Sequence, residues 1–585
     1  MATSLPWIHP FWALGIPIAL SFLLGRSMWR TLDVPDDRAG KGLDALPIFL
    51  CRLIGRREPA RMDWKRYAVA LLAFNAALFV ITFGLLYAQH KVPLLNPDGK
   101  GSLGALGYKD TAGVDHPGAD TGVIFNTVCS FVTNTNLQHY SGEQHLSYLS
   151  QLAGIVWLQF VTPAAGLCVM LAALRGLRGD RNLGDFYADL MRSLVFVFVP
   201  CALILAVLLI GTGMPMTFHG AAQAATLDGA ANNMPTQAIA RGPVAALVAI
   251  KQLATNGGGY FGPNSAHPFE NPSPWSNILE IASIVMLPMA TLVMAGYMLR
   301  NMRHALLIYG VMLALLVTGA TIAIVAEVRP SAATAGLAVA RAPNMEGTEV
   351  RFGPVSDATW AAMTSATSNG SVNTMHDSLN PIAGLVPMSH MMLNVIFSGI
   401  GAGFLNMLMF IIIAVFMAGL MVGRTPEYLG KKVEAKEVKL AMLAVLVHPL
   451  VICCGAGLFA ATDWGAKTTA NPGPHGFSEI LYEFTSAAAN NGSGFEGLGD
   501  NTPAWNVATG TVLLLGRFPA LILPLAVAGF LSIKKPTPQT SGTLRTDNLT
   551  FAGMLLGTVI LVGALSFMPA LVLGPVADHL TKVPL

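Results

Sequence analysis

Long apolar runs separated by polar loops pattern almost the whole chain. Stretches of roughly 20 apolar residues are long enough to cross ~30 Å of hydrocarbon as helix. They fall at residues 10–24 (extended toward Trp7 and Met28), 67–88, 149–174, 194–210, 278–299, 305–325, 391–422, 440–461, 507–531 and 551–573. Ten spans are therefore predicted. Four shorter apolar segments, residues 123–132, 244–253, 356–367 and 477–489, sit between spans. At about ten residues they cannot cross, and they read as re-entrant helices.

A short polar stretch follows each re-entrant segment: Thr-Asn-Thr-Asn-Leu-Gln at 133–138, Thr-Asn-Gly-Gly-Gly-Tyr at 255–260, Thr-Ser-Asn-Gly-Ser-Val at 367–372 and Ala-Asn-Asn-Gly-Ser-Gly at 489–494. Aligned on Asn134, Asn256, Asn369 and Asn491, the copies are spaced by 122, 113 and 122 residues. Gly257, Gly370 and Gly492 follow the asparagine in three copies, and Thr135 does in the first. Backbone carbonyls replace the water of a dehydrated cation only where several segments converge on one axis, and glycine lets successive carbonyls face one side. The expected fold is an all-α polytopic membrane protein, with four helix–pore loop–helix repeats around a pseudo-fourfold pore. The repeats are placed at 67–178, 190–303, 304–432 and 436–533. They are flanked by an extra N-terminal helix (1–30), a basic loop (31–66) and a C-terminal helix with a short tail (550–585).

Composition supports a membrane class, since 53% of the 585 residues are hydrophobic and 11% are charged, against about 25% charged in soluble domains. The net charge of +3 gives no sign of a nucleic-acid partner. Six cysteines form neither a disulfide framework nor a zinc spacing. Charge placement says more. Most of the 35 Lys and Arg lie in loops after odd-numbered spans: ten between residues 26 and 66, then Arg175, Arg178, Arg181 and Arg192, then Arg300 and Arg303, then Arg424 to Lys439, then Lys534, Lys535 and Arg545. The positive-inside rule makes that side cytoplasmic, so both termini and the four polar loops are expected outside.

At these residues the chain closely resembles the potassium-binding component (KdpA) of the Kdp-type potassium-transporting ATPase, within a superfamily of K⁺ transporters. The resemblance also covers Ser-Ala-His-Pro-Phe-Glu-Asn-Pro at 265–272, Asn-Met-Glu-Gly at 344–347, Arg-Phe-Gly at 351–353, Met-His-Asp-Ser at 375–378, Gly-Arg-Thr-Pro-Glu-Tyr-Leu-Gly-Lys-Lys at 423–432 and Asn-Pro-Gly-Pro-His-Gly-Phe-Ser-Glu at 471–479. It implies a bacterial inner-membrane complex in which this chain takes in K⁺, the transported ligand. The partners it implies are a P-type ATPase (KdpB), which hydrolyses ATP, together with KdpC and the small KdpF. The chain itself has no Asp-Lys-Thr-Gly phosphorylation motif and no Gly-Lys-Ser/Thr nucleotide loop.

The expected K⁺ ligands are backbone oxygens of Thr133, Asn134, Thr135 and Asn136, of Asn256, Gly257 and Gly258, of Ser368, Asn369, Gly370 and Ser371, and of Asn490, Asn491, Gly492 and Ser493. The asparagine side chains are expected to brace the loops. Gln138 either coordinates near the mouth or is a solvated loop residue. Gly399, Gly401 and Gly403 interrupt the seventh run and predict a broken helix beneath the filter, where the resemblance implies an intramembrane gate. Arg424 is either a coupling residue on the ion path or an ordinary flanking charge. Arg517 at membrane depth is expected to face a cavity or partner. Glu280 is expected to reach toward the interface, and His448 to be a packed, hydrogen-bonded residue. Two other readings stay open: a passive or ion-coupled K⁺ channel or symporter component, and a membrane-embedded enzyme using His376 and Asp377.

Overall fold

The protein's structure, a computed structural model, describes residues 8–35, 40–53, 55, 60–109, 114–118, 120–227, 234–331, 342–423, 425–536 and 545–582. Arg424, together with Arg38, Arg56 and Arg57 of the first basic loop, lies outside the described residues. Among the described residues, ten helices are long and apolar enough to cross a membrane: His9–Leu32, Trp64–Lys91, Ser150–Arg178, Phe186–Gly211, Pro274–Met298, Met302–Glu327, Ala402–Met421, Ala435–Ala460, Pro503–Ser532 and Leu549–Thr581. Four shorter helices enter between them: Gly122–Val132, Val244–Leu253, Pro354–Ala366 and Gly473–Ala489. Their order gives four units of outer helix, pore helix, loop and inner helix.

Burial separates the two kinds of span. The helices that follow a pore loop are 56–89% buried across their most apolar window, whereas those that precede one are 17–44% buried. All eight are similarly apolar, so packing rather than hydropathy decides which face lipid. Helices apolar all round belong either to a core or to a bilayer, and this fold uses both settings.

Two spans differ from their sequence reading. The fourth starts at Phe186 rather than 194, because Asp185 caps it by accepting hydrogen bonds from the backbone N–H groups of Tyr187 and Ala188. Its polar first turns are buried in an ion-pair network. Asp189, fully buried, accepts from Arg175 at 2.6 and 2.9 Å and from the Tyr67 hydroxyl at 3.0 Å, with Arg192 3.5 Å away. The run at 391–422 divides in two. Helix Pro381–Leu393 ends at Asn394 in the left-handed conformation, and a new helix starts only at Ala402. The break expected at Gly399, Gly401 and Gly403 lies at 394–401, near the start of the run, with Gly403 already inside the new helix.

Removing one member of a buried ion pair strands the other charge, at a cost of about 3–5 kcal/mol. Asp189→Asn is therefore expected to lower the unfolding midpoint of the detergent-solubilised chain sharply, while substitution of the exposed Asp463, in a surface pair with Lys467, leaves it nearly unchanged.

Candidate functional site: four pore loops closed into a ring

Each pore helix ends in the same turn. The residue after its last turn takes a left-handed conformation, at Asn134 (φ 60°), Thr255 (55°), Ser368 (50°) and Asn490 (53°). The next N–H then reaches back five residues to a helix carbonyl: Thr135 to Ser130 at 2.8 Å, Asn256 to Lys251 at 3.3 Å, Asn369 to Thr364 at 3.1 Å and Asn491 to Ser486 at 2.9 Å. These features move the register of the first repeat by one residue. Thr135, not Asn134, is the structural counterpart of Asn256, Asn369 and Asn491, and Asn136 stands where the other loops carry Gly257, Gly370 and Gly492. Gly257 and Gly492 have φ of 79° and 104°, whereas Asn136 and Gly370 stay at negative φ. The position that accepts an asparagine is thus one where a side chain is not strained.

The loops bind one another in cyclic order. From the first to the second, the Asn134 amide donates to the Ala254 carbonyl at 3.2 Å, and the Asn136 amide donates to the Gly257 carbonyl. Between the second and third, Gly370 N–H donates to Asn256 O at 3.2 Å and the Asn369 amide to Lys251 O at 3.2 Å. From the fourth to the third, the Asn491 amide donates to the Thr364 and Asn369 carbonyls, both at 3.0 Å. The fourth and first meet by contact, since a Cβ built on Gly492 would lie 2.4 Å from Asn136 N. Asn369 and Asn491 play matching parts, each also accepting from the N–H two residues on, at 2.8 and 3.0 Å.

A second layer of side chains, which the repeat pattern alone does not reveal, supports the ring. Buried Lys251 pairs with Glu270 and donates to Asn264 Oδ1 at 2.6 Å, while the Asn264 amide donates to Gly257 O at 2.9 Å. Ser371 O accepts from Trp360 Nε1 at 2.8 Å and from the Thr364 hydroxyl at 2.7 Å. Gln252 accepts from Ser371 Oγ at 2.9 Å and donates to Glu280 at 2.8 Å. Glu280 is therefore fully buried behind the second loop and does not reach the interface. The Lys251-Gln252 pair inside a pore helix that is apolar elsewhere was the available signal for this layer. Farther along the fourth loop, burial pushes the Glu496 carboxyl up to about 8, against the hydrogen bond it accepts from Asp377 N–H.

The remaining candidates fall into place around the ring. Gln138 forms a reciprocal pair with Gly259, donating to its carbonyl at 3.2 Å and accepting from its N–H at 2.8 Å, so its amide ties the first loop to the second. Segment 394–401 lies directly against the loop bases: Ser398 N–H donates to Ala366 O at 2.8 Å, Ser398 Oγ is 2.9 Å from Ser368 Oγ, and Ile400 N–H donates to Thr255 Oγ1 at 3.2 Å. Gly401 has φ 81°, and a Cβ there would lie 2.4 Å from Gly166 O. A Cβ on Gly403 would overlap Phe397 O, and one on Gly399 would lie 3.8 Å from the Arg517 guanidinium. Arg517 is buried and donates to Thr162 O at 3.4 Å. Among the described residues it pairs with no carboxylate. His448 Nε2 lies 3.0 Å from Met391 O. His376 Nδ1 contacts the Tyr482 hydroxyl at 2.8 Å, whereas Asp377 turns to His475 at 2.9 Å, so the two do not share a substrate-facing site.

Gly492→Ala places a methyl group against the Asn136 backbone at a left-handed φ, whereas Gly553 has open space around it. Thermal unfolding is expected to show a marked loss for Gly492→Ala and no loss, or a small gain of about 0.5–1 kcal/mol, for Gly553→Ala.

Comparison with known proteins agrees with this architecture. The sequence profile described as potassium-transporting ATPase A subunit matches residues 12–580. The potassium-transporting ATPase potassium-binding subunit of Geobacillus kaustophilus is 47% identical over 533 residues, covering 91% of each chain. That of Pseudomonas aeruginosa is 45% identical over 561 residues, covering 95% of this chain and 96% of its own. The crystal structure of the potassium transporter TrkH from Vibrio parahaemolyticus superposes with a TM-score of 0.51 at 12% identity, over 89% of this chain and 98% of that one, a likeness of fold. With its four pore loops and near full-length identity, the chain belongs to the potassium-transporting ATPase A subunit family.

Proposed function

We propose that this chain is the K⁺-binding and K⁺-admitting subunit of an ATP-driven uptake complex, and that the ring of loops is its selectivity filter. The observation that carries this reading is the closure of four like turns on one another, an arrangement that suits backbone oxygens of all four repeats to one shared axis. K⁺ is a hard cation that prefers oxygen ligands, and such carbonyl rings replace its hydration shell. Gly257 O, Asn369 O and Ser371 O each already lie within hydrogen-bond reach of two side-chain donors. We assign them to bracing, and the ion to the other oxygens of Thr133–Asn136, Asn256–Gly258, Ser368–Ser371 and Asn490–Ser493.

The basic loops that follow the inner helices, read by the positive-inside rule, favour a filter and both termini outside the cytoplasm, in repeats bounded as the sequence suggests. Segment 394–401 and Arg517 then lie on the inner side of the filter. A buried cationic guanidinium there repels an arriving K⁺ electrostatically, and a loop without helical hydrogen bonds beside it can move where a continuous helix cannot. That pairing favours a gated path, driven by ATP hydrolysis in a partner catalytic subunit, over a passive channel.

Gly257 has φ 79°, and a Cβ there would lie 2.2 Å from Ser371 N. In cells dependent on this complex, Gly257→Asp is expected to raise the half-saturating K⁺ concentration at least about tenfold, a loss of about 1.4 kcal/mol, and to weaken discrimination against Na⁺. Unchanged K⁺ affinity and selectivity would overturn the filter assignment. K⁺-stimulated ATPase activity in the purified complex separates the ATP-driven reading from the channel reading.

A further inference from the structure

Just beyond the first loop, His139 meets two carboxylates of the fourth repeat that the filter does not use. Its Nε2 lies 3.4 Å from Glu483 Oε1, on the fourth pore helix, and 3.7 Å from Asp500 Oδ2, in the loop that follows. One ligand atom from each residue lies within 4.8 Å of the others. The His139 and Glu483 side chains are 0% and 1% exposed, whereas Asp500 is 30% exposed and opens the cluster to solvent. Among the described residues, no lysine or arginine pairs with either carboxylate.

Hydrogen bonding on the far side of the ring fixes how His139 presents itself. Asn506 uses its amide N–H groups on Asn501 Oδ1 at 3.1 Å and Asp120 Oδ2 at 3.4 Å. Its Oδ1 therefore faces His139 Nδ1 at 2.7 Å as an acceptor, and the proton belongs on Nδ1. Nε2 then faces two carboxylates, an arrangement that calls for a cation between them, either the second proton of an imidazolium or a metal held by the Nε2 lone pair. A metal-ligating histidine is held in this way by an outer acceptor on its other nitrogen.

Spacing selects the kind of cation. A charge-assisted N–H···O contact closes to about 2.7–2.9 Å, shorter than either distance here. Ligands about 2.0–2.2 Å from a tetrahedral zinc lie roughly 3.3–3.6 Å apart, close to the two separations from His139. One imidazole with two carboxylates suits a borderline transition dication rather than the all-oxygen shells of Ca²⁺ and Mg²⁺. We propose that His139, Glu483 and Asp500 form a binding site for a transition-metal dication, Zn²⁺ being the fitting ion, with its fourth position open beside Asp500. A metal held there clamps the segment after the first loop to the pore helix and outer segment of the fourth, across the junction of the ring that is closed by contact.

The test titrates Zn²⁺ into the chelator-treated full complex by calorimetry, with Co²⁺ absorption reporting tetrahedral coordination and the unfolding midpoint reporting linkage. Wild type is expected to bind one Zn²⁺ more than Asp500→Asn and His139→Gln, or to bind it at least about tenfold more tightly, with a midpoint that rises on metal addition only in wild type. Asp500, the most exposed ligand, keeps the test decisive should His139→Gln fail to fold. Equal zinc binding by wild type and Asp500→Asn overturns the proposal, as does the absence of binding, which would leave a proton as the only cation in the cluster. So does binding abolished by His475→Asn yet unaffected by Asp500→Asn, which would locate the metal among Asp377, His475 and Glu479.

Discussion

A cation deprived of water inside a membrane costs on the order of 20 kcal/mol before compensation, and no single loop can present enough oxygens to offset that. The remedy must be collective and in place before the ion arrives. Here the cyclic order of hydrogen bonds from Asn134 and Asn136 to the second loop, from Asn369 and Gly370 to the second, and from Asn491 to the third makes each loop's position depend on its neighbour's. Inner helices are more buried than the outer helices across their apolar windows, in keeping with a ring that they surround.

The ring is fourfold in plan but not in detail. Positive φ alternates around it, present at Gly257 and Gly492 and absent at Asn136 and Gly370. Support differs in chemistry as well: the second loop leans on the buried Lys251–Glu270 pair, while the third leans on Trp360 and Thr364. Buried polar networks of this kind hold one geometry firmly only when their members are satisfied. The inner side of the ring is different in character. Segment 394–401 is not helical and attaches to the loop bases through a few hydrogen bonds of Asn394, Ser398 and Ile400.

Much of this was legible in the sequence. Ten spans, four pore helices and the polar loops behind them follow from hydropathy and length, and the broken seventh run follows from its glycines. The register of the first loop did not. Alignment on the Asn134 side chain matched residue identity, whereas the structure aligns the end of each helix turn, which puts Thr135 beside Asn256. Nor was the burial of Glu280 visible, because hydropathy cannot tell a charge at a lipid interface from one hydrogen-bonded to Gln252 and Ser265. The start of the fourth span was hidden for the same reason: Asp189 and Arg192 look like loop residues until they are seen paired inside the protein.

The central claim is that oxygens from all four loops surround one ion. Anomalous scattering from crystals of the complex grown with Tl⁺ or Rb⁺ in place of K⁺ tests it most directly. The account predicts density on the ring axis, between the turns at Asn134, Thr255, Ser368 and Asn490, with backbone oxygens of each repeat in its shell. Ion density confined to one repeat, or lying outside the ring, would contradict it.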